Sequence, residues 1–444
     1  MEFLVIGGDA AGMSAASRAG RNQPDMNVTV LEQTMDVSYS ACGMPYNIAD
    51  PKRPIDDLVV RQASVFREKQ GINLLTGCRA KKIDTKARVV TAVDHTGKEQ
   101  CFSYDRLLIA TGARPFMPEV EGIDSPGVLP LKRLADGRKI KSYLQSHTVK
   151  RAVLVGMGYI GLEMAESLKG LGIDVTGVTR GFMKNYDRQI ADVVKDKLAE
   201  HGVSLYADQP LEKIAGGESG LSVTCGGQIL EADMVLVGLG VRPNSELAGD
   251  AGIALGPKNA ISVDRRVETS VPGIFSAGDC ADAYHVVTGE KVWIPLALVA
   301  NRAGWTAADN VCGKDSRLHG VAGSTVFKVF ELEVGRTGLS VADAEAAGFD
   351  PASVTIRTPS RAHAHPGSKT IWVHMVGDRK SGRLLGAQMV GEEGVAHRIK
   401  APTVALHAAM TVRDFSQTDL AYAPPFSPVW DPMLTAANQL LKKL

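Results

Sequence analysis

The sequence contains no apolar run near the roughly 18 residues that would suggest a membrane span. It also has no excess of charge of either sign. Against 49 Asp and Glu stand 50 Lys and Arg, for a formal net charge of +1. Without a basic field to gather polyanions, neither nucleic acid nor a lipid surface is an expected partner. There is no HExxH, and the pair His363 and His365 in RAHAHPG reads as a polar loop, so no metal is expected. The opening MEFLVIGG starts a strand at once and leaves no room for a basic, then apolar leader. Short repeats and low-complexity tracts are missing as well.

Cysteine is scarce and unpaired in pattern. The six residues Cys42, Cys78, Cys101, Cys225, Cys280 and Cys312 form no CxxC and no metal-like spacing. Six in 444 residues is not a disulfide scaffold, and a reducing, cytoplasmic setting is expected. An apolar content of 44% and a charged content of 22% suit a soluble globular chain of about three domains.

What is present is a design used twice. FLVIGGDAAGMSAA and AVLVGMGYIGLEMAESL each run from a short apolar strand through a Gly-rich turn into a helix of small residues. The first turn, Gly7 to Gly12, departs from GxGxxG at Asp9. Its other small residues still let a helix N-terminus approach a pyrophosphate. Glu32 ends the next strand, VTVLE, where an acid can bond a ribose hydroxyl. The second turn matches in full, with Gly156, Gly158 and Gly161 between the strand RAVLV and a helix. The strand after it, VTGVTR, ends in Thr179 and Arg180. A guanidinium there pairs with a 2′-phosphate and favours NADPH over NADH. LLIATGARP and SAGDC both end strands in small residues, and Asp279 in the latter can accept bonds from a polyol chain. From about Ser324 the pattern changes to an antiparallel sheet (STVFKVFELEVGRTG, KTIWVHMV, LLGAQMVG) followed by a helical hairpin.

The order GxxAxG, Cys-Gly-x-Pro-Tyr, ATGxxP, GxGYIGxE, GxRPN and SAGDC resembles the flavoprotein pyridine nucleotide–disulfide oxidoreductases. The lone cysteine, with YAPPFSPVWDP from Tyr422, resembles their coenzyme A-disulfide reductase branch and its NADH oxidase, peroxidase and persulfide reductase relatives. The resemblance implies an α/β chain with two Rossmann-like units, for FAD and NAD(P)H, and a C-terminal α+β dimerisation domain. Residues 1–115 and 248–323 would hold FAD, 116–247 the nicotinamide cofactor, and 324–444 the homodimer contact. Gly7, Ala10, Gly12, Glu32, Thr111, Gly112 and Asp279 would line the flavin. Gly156, Gly158, Gly161 and Arg180 would bind NAD(P)H, with Tyr159 shielding the flavin and Glu163 near the nicotinamide.

Enzymes with two catalytic cysteines carry CxxxxC. Here Val37 and Asn47 stand five residues either side of Cys42, so this thiol has to exchange with a partner outside the chain. That partner is a small thiol, giving a mixed disulfide, or oxygen, giving a sulfenic acid. Cys42 precedes Gly43-Met44-Pro45, and Pro suits a first helical turn. A helix N-terminus at this point is expected to lower the thiol pKa, with Ser38 and Ser40 donating to the sulfur or its partner. Tyr422 of a second subunit is expected to protonate the leaving thiolate.

Ser14, Arg18 and Arg21 share one helix face, and by the resemblance they lie with Asn301 near a bound coenzyme A. Three departures bear on the identity of the thiol. Ala41 replaces an Asn frequent in relatives, Ala364 and His365 replace two tyrosines, and Trp430 takes a position that can be Lys. His365 is a candidate stand-in proton donor. The chain ends at Leu444 without the sulfurtransferase domain that some persulfide reductases carry, which weighs against persulfide. The leading expectation is an NAD(P)H-dependent reductase of coenzyme A disulfide or a related small-molecule disulfide. The alternatives are an oxidase or peroxidase, a persulfide or polysulfide reductase, and, more remotely, a flavin redox sensor.

Overall fold

The computed structural model describes residues 1–217 and 220–444. Two five-stranded parallel sheets and one five-stranded antiparallel sheet organise it. In the first, the strand Glu2–Ile6 is central, between Asn27–Glu32 and Arg106–Ile109, with Asn73–Thr76 and Ile274–Ser276 outermost. The second repeats the plan. Arg151–Val155 is central, flanked by Asp174–Thr179 and Met234–Val237, with Ser204–Ala207 and Val128–Pro130 outermost. Parallel strands covered on both faces must be apolar throughout, and Phe3 to Ile6 and Ala152 to Val155 are buried accordingly. Each unit also carries three antiparallel strands, Arg79–Asp84, Val89–Val93 and Glu99–Ser103 in one and Leu211–Gly217, Gly220–Cys225 and Gln228–Ala232 in the other.

The helices Ala10–Asn22 and Ala297–Val311 pack closely in the first unit. Alanines 11, 15, 16 and 19 face Ala300, Ala303, Ala307 and Ala308. A Cβ on Gly304 would lie 2.4 Å from the carbonyl oxygen of Ala11, so the crossing needs glycine there. The C-terminal sheet runs Thr325–Val329, Leu332–Gly338, Leu384–Gly391, Thr370–Asp378, Pro351–Pro359, all antiparallel. Short helices from Val395 to Ser416 and the helix Pro432–Leu440 cover it. The expected fold class is the one observed. Among the described residues no helix is long and apolar enough to cross a membrane.

Candidate active site

Both Gly-rich turns obey the same steric logic. Gly7 and Gly156 adopt φ of +113° and +100°, and a Cβ on either would sit 2.1 or 2.4 Å from the oxygen of Ala110 or Gly238. Cβ atoms on Gly12 and Gly161 would fall 1.9 and 2.1 Å from the oxygens of Gly7 and Gly156, so strand and helix meet without side chains between them. Both turns open onto one cavity of about 2880 Å³. Ordinary small-molecule pockets hold roughly 300–1,000 Å³, so this one has room for more than one large ligand.

At the first end of the cavity, Glu32 accepts from the Gly8 amide at 2.7 Å and from the Thr34 amide and hydroxyl at 2.7 Å. A carboxylate so held keeps lone pairs for ribose hydroxyls. Thr111 and Asn244 tie two motifs together: the Thr111 hydroxyl donates to Asn244 O at 2.5 Å, and Asn244 Nδ2 donates to Thr111 O at 2.8 Å. Asp279 accepts from Lys132 Nζ at 2.8 Å, and both line the cavity with Ala10 and Gly112. These residues fit FAD, with the acid at a ribose, the bare turn at a pyrophosphate and small residues along the rest. Asp9 occupies the position where the second turn has open Gly158. Its side chain makes no capping bond, and burial raises its carboxyl to about 6.

At the other end, Thr179 and Gly181 bond to each other, turning the chain after the strand. Arg180 and Lys184 line the cavity here, and neither has an ion-pair partner among the described residues. Tyr159 stands at the start of its helix, 40% exposed, with its ring 5.1 Å from that of Phe327. Glu163, one helical turn on, accepts from the Tyr46 hydroxyl at 2.9 Å.

Cys42 lies between these ends on the cavity wall, in a short 3₁₀ turn, Ala41–Gly43, that runs into the helix Met44–Ile48. That helix is clamped at both ends. The Ser167 hydroxyl donates to Pro45 O at 2.9 Å, and Lys141 Nζ donates to the carbonyls of Asn47, Asp50 and Arg53. The expected lowering of the thiol pKa is not observed. Cys42 is exposed to the cavity, yet desolvation by the surrounding walls, then the neighbouring Glu163 carboxylate, push its thiol up, and Lys132 only partly opposes them. A five-residue helix has too small a dipole to reverse this.

Other expectations are also redrawn. No hydrogen bond joins Ser38 or Ser40 to the sulfur. Ser40 lines the cavity, whereas Ser38 does not. Ser38 sits at φ +49°, and its carbonyl accepts from the amides of Val60 and Arg61. Ser14 donates to Asn301 Oδ1 at 2.5 Å, and Arg18 makes a two-point bond to Asp309 at 2.9 and 2.7 Å. Of that set only Asn301 lines the cavity. Arg18 is already committed, and Arg21 remains exposed. Tyr422 is 46% exposed and lies outside its own chain's cavity. Its segment is joined to the His363–His365 loop by the Ala362 amide, which donates to Pro424 O at 3.2 Å. Arg398 also links them, donating to Ser360 O and Phe426 O.

Sequence reasoning missed Tyr46, Lys132 and the roles of Lys141 and Ser167. Tyr46 carried a signal, since it closes the Cys-Gly-x-Pro-Tyr motif. The two lysines had none, because each acts on residues far away in the chain.

Comparison with known proteins agrees with this geometry. The chain is 38% identical over 442 residues to the NAD(P)H coenzyme A polysulfide/persulfide reductase of Pyrococcus horikoshii, covering 99% of this chain and 98% of that protein. It is 35% identical over 447 residues to an NADH oxidase of Methanocaldococcus jannaschii, covering 100% and 99%. A solved NAD-dependent persulfide reductase from A. fulgidus matches with a TM-score of 0.96 at 37% identity, over all of this chain and 83% of that one. The pyridine nucleotide-disulphide oxidoreductase model matches residues 1–304, and the dimerisation domain of the same family matches residues 324–433. With two Gly-rich units around one thiol and these matches along its length, the chain belongs to the pyridine nucleotide-disulphide oxidoreductases and is an FAD- and NAD(P)H-dependent enzyme.

Proposed function

We propose that the protein reduces small-molecule disulfides through Cys42 alone, with coenzyme A disulfide as the leading substrate. The observation that carries this reading is Cys42 itself, a free thiol on the cavity wall between the two Gly-rich units. The other thiol on that wall, Cys78, is buried at the Glu32 end, where its amide donates to Glu32 O at 2.8 Å. It is inert by position.

The site residues divide by role. Gly7, Ala10, Gly12, Glu32, Thr111, Gly112 and Asp279 hold FAD, and Gly156, Gly158, Tyr159, Gly161, Glu163 and Arg180 hold the nicotinamide cofactor. Residues 1–115 with 248–323, 116–247 and 324–444 form the FAD, NAD(P)H and dimerisation parts. Bound FAD supplies a two-electron path between nicotinamide and sulfur. The Cys42 thiolate attacks one sulfur of the substrate disulfide, forming a mixed disulfide and expelling one thiolate. Two electrons from one NADPH, with a proton, then cleave the mixed disulfide, releasing the second thiol and restoring Cys42. Tyr422 of a second copy protonates a leaving thiolate, which its exposure outside its own chain's cavity supports. The raised Cys42 pKa suits a thiol that depends on the oxidised cofactor for its thiolate character. Arg180 favours NADPH. Asn301, bonded to Ser14, and exposed Arg21 are the contacts left for coenzyme A on that helix pair, with Arg18 held by Asp309. The free cysteines fit a reducing cytoplasm.

Persulfide reduction by the same thiol is a second reading, favoured by the Pyrococcus relative. That protein is matched over 98% of its own length, so chain length does not separate the two substrates. The mass of the intact, unreduced protein tests the assignment. A coenzyme A adduct on Cys42 that dithiothreitol removes is expected. A single added oxygen with rapid NAD(P)H-dependent oxygen uptake would instead make the protein an oxidase or peroxidase, and sulfide release would make it a persulfide reductase.

A further inference from the structure

Five polar residues stand in one row across the whole C-terminal sheet. Thr325 pairs with Arg336, Arg336 with Gln388, Gln388 with His374 and His374 with Thr355, each directly opposite the next on adjacent strands. Residues paired in this way point to the same face. His374 and Gln388 are only 3% and 2% exposed. A sheet face buried this deeply is ordinarily apolar, because an unbonded polar group there costs free energy. Every member of this row has a polar partner and each reaches the second Gly-rich unit, although Arg336 is shared with Asp343 of its own domain at 3.6 Å and with Gly338 O at 3.5 Å.

At one end the Thr325 hydroxyl is 3.3 Å from the Tyr159 hydroxyl. The Arg336 guanidinium lies 5.5 Å from the Tyr186 ring centre, and its Nη1 donates to Asn185 O at 3.3 Å. Gln388 makes two bonds to the backbone: its Oε1 accepts from the Asp187 amide at 2.7 Å and its Nε2 donates to Asn185 O at 3.1 Å. The Thr355 hydroxyl donates to Asp187 Oδ1 at 3.1 Å. That uses its only hydrogen, so the 2.8 Å contact with His374 Nδ1 places the proton on the imidazole. His374 Nδ1 is also 3.5 Å from Asp187 Oδ2. The segment held in this way follows directly on Arg180, contains Lys184 and ends at the cap of the helix Arg188–Glu200. Lys184 folds back over Gly181, where a Cβ would lie 1.4 Å from its Cε.

We propose that this row positions the nicotinamide-nucleotide site, setting the segment that follows Arg180 and contains Lys184 at a fixed distance from Tyr159. Gln388, His374 and Thr355 do not line the cavity, so they are positioning residues and act through the segment. Two cations on a short turn hold a phosphate well only when the turn has one geometry. A fully bonded polar network specifies geometry more strictly than an apolar contact does. The C-terminal domain thereby sets cofactor affinity as well as dimer contact. The inference rests on the second unit binding a nicotinamide dinucleotide.

The test uses the flavin-loaded full chain and compares Gln388→Met and Thr355→Val, which keep shape and lose bonds, with Thr355→Ser, which keeps the hydroxyl. Gln388→Met is expected to raise the KM for the preferred nucleotide about tenfold, and Thr355→Val about threefold. Values of kcat and the KM for the disulfide stay near wild type, and Thr355→Ser behaves as wild type. If NADPH is the preferred nucleotide, the KM for NADH moves less, since it lacks the phosphate. A wild type that prefers NADH overturns the role of Arg180, and the row is then judged on the KM for NADH. Unchanged nucleotide KM in both variants overturns the row, as does a parallel fall in kcat and in disulfide affinity. Thr355 lies half-buried on the outermost strand, so Thr355→Val keeps the test decisive if Gln388→Met fails to fold.

Discussion

In the first Gly-rich unit the strand Asn27–Glu32 ends in a carboxylate, and in the second the equivalent strand Asp174–Thr179 hands over to Arg180. The two sheets share the order of four strands and differ in the fifth, which comes last in the chain in one and first in the other; the two turns share a positive-φ glycine, and both helices rest on a glycine that touches the turn. Ligand choice therefore lies in the few side chains at the strand ends. An acid accepts from ribose hydroxyls, and a guanidinium pairs with phosphate. The turns differ as well. Asp9 fills with a half-buried carboxyl the place that Gly158 leaves open.

The largest effect is expected where the two units meet. Cys42→Ser should lower disulfide reduction by about a thousandfold or more, as loss of a nucleophile does. The yellow spectrum of bound flavin should persist, and a variant with intact turnover would refute the single-thiol mechanism. Next comes the contrast between the two turns. Gly12→Ala forces a Cβ to within 1.9 Å of the Gly7 oxygen, so the purified protein should be colourless and melt lower. Gly158→Ala meets nothing within 4 Å, so it should keep its flavin and its melting temperature and show a change only in nucleotide KM. Third, Arg180→Ala should raise the KM for NADPH by about tenfold to a hundredfold, the worth of a charge-assisted bond, and leave the KM for NADH almost unmoved. Glu32→Gln should weaken flavin retention, measured by dialysis, without altering that ratio.

The smallest effect concerns Asp9. Its carboxyl titrates at about 6 in the folded chain against 3.8 for a free side chain. Between these values the native state binds the extra proton, so its contribution to stability falls as pH rises from about 4 to about 6. In flavin-free protein, Asp9→Asn should flatten this slope and stabilise by at most about 3 kcal/mol near pH 7. Melting curves across that range check it. An unchanged slope would mean that Asp9 is solvated.

Much of the plan could be read from local pattern. The turns at Gly7 and Gly156, the strands that end at Glu32 and Thr179, and the antiparallel character after Ser324 each depend on neighbours within a few residues. The thiol pKa was misjudged for the opposite reason. Pro45 announces a helix start, but the nearness of Cys42 to the Glu163 carboxylate comes from a helix in the other unit. The bonds Tyr46–Glu163 and Lys132–Asp279 span 117 and 147 residues, beyond the reach of any spacing rule.

The polar row shows the same division within one element. The β-branched and aromatic run in KTIWVHMV identifies a strand, and His374 looks like a misplaced polar residue in it. Only the pairing of four neighbouring strands aligns it with Thr355, Gln388 and Arg336 and sets them against Asp187. The sequence by itself determined the elements, the two nucleotide turns and the solitary thiol, because backbone sterics and hydrophobic periodicity are short-ranged. Tertiary structure alone decided which distant charges meet and which way the thiol titrates, because desolvation and Coulomb interactions depend on what folding brings together.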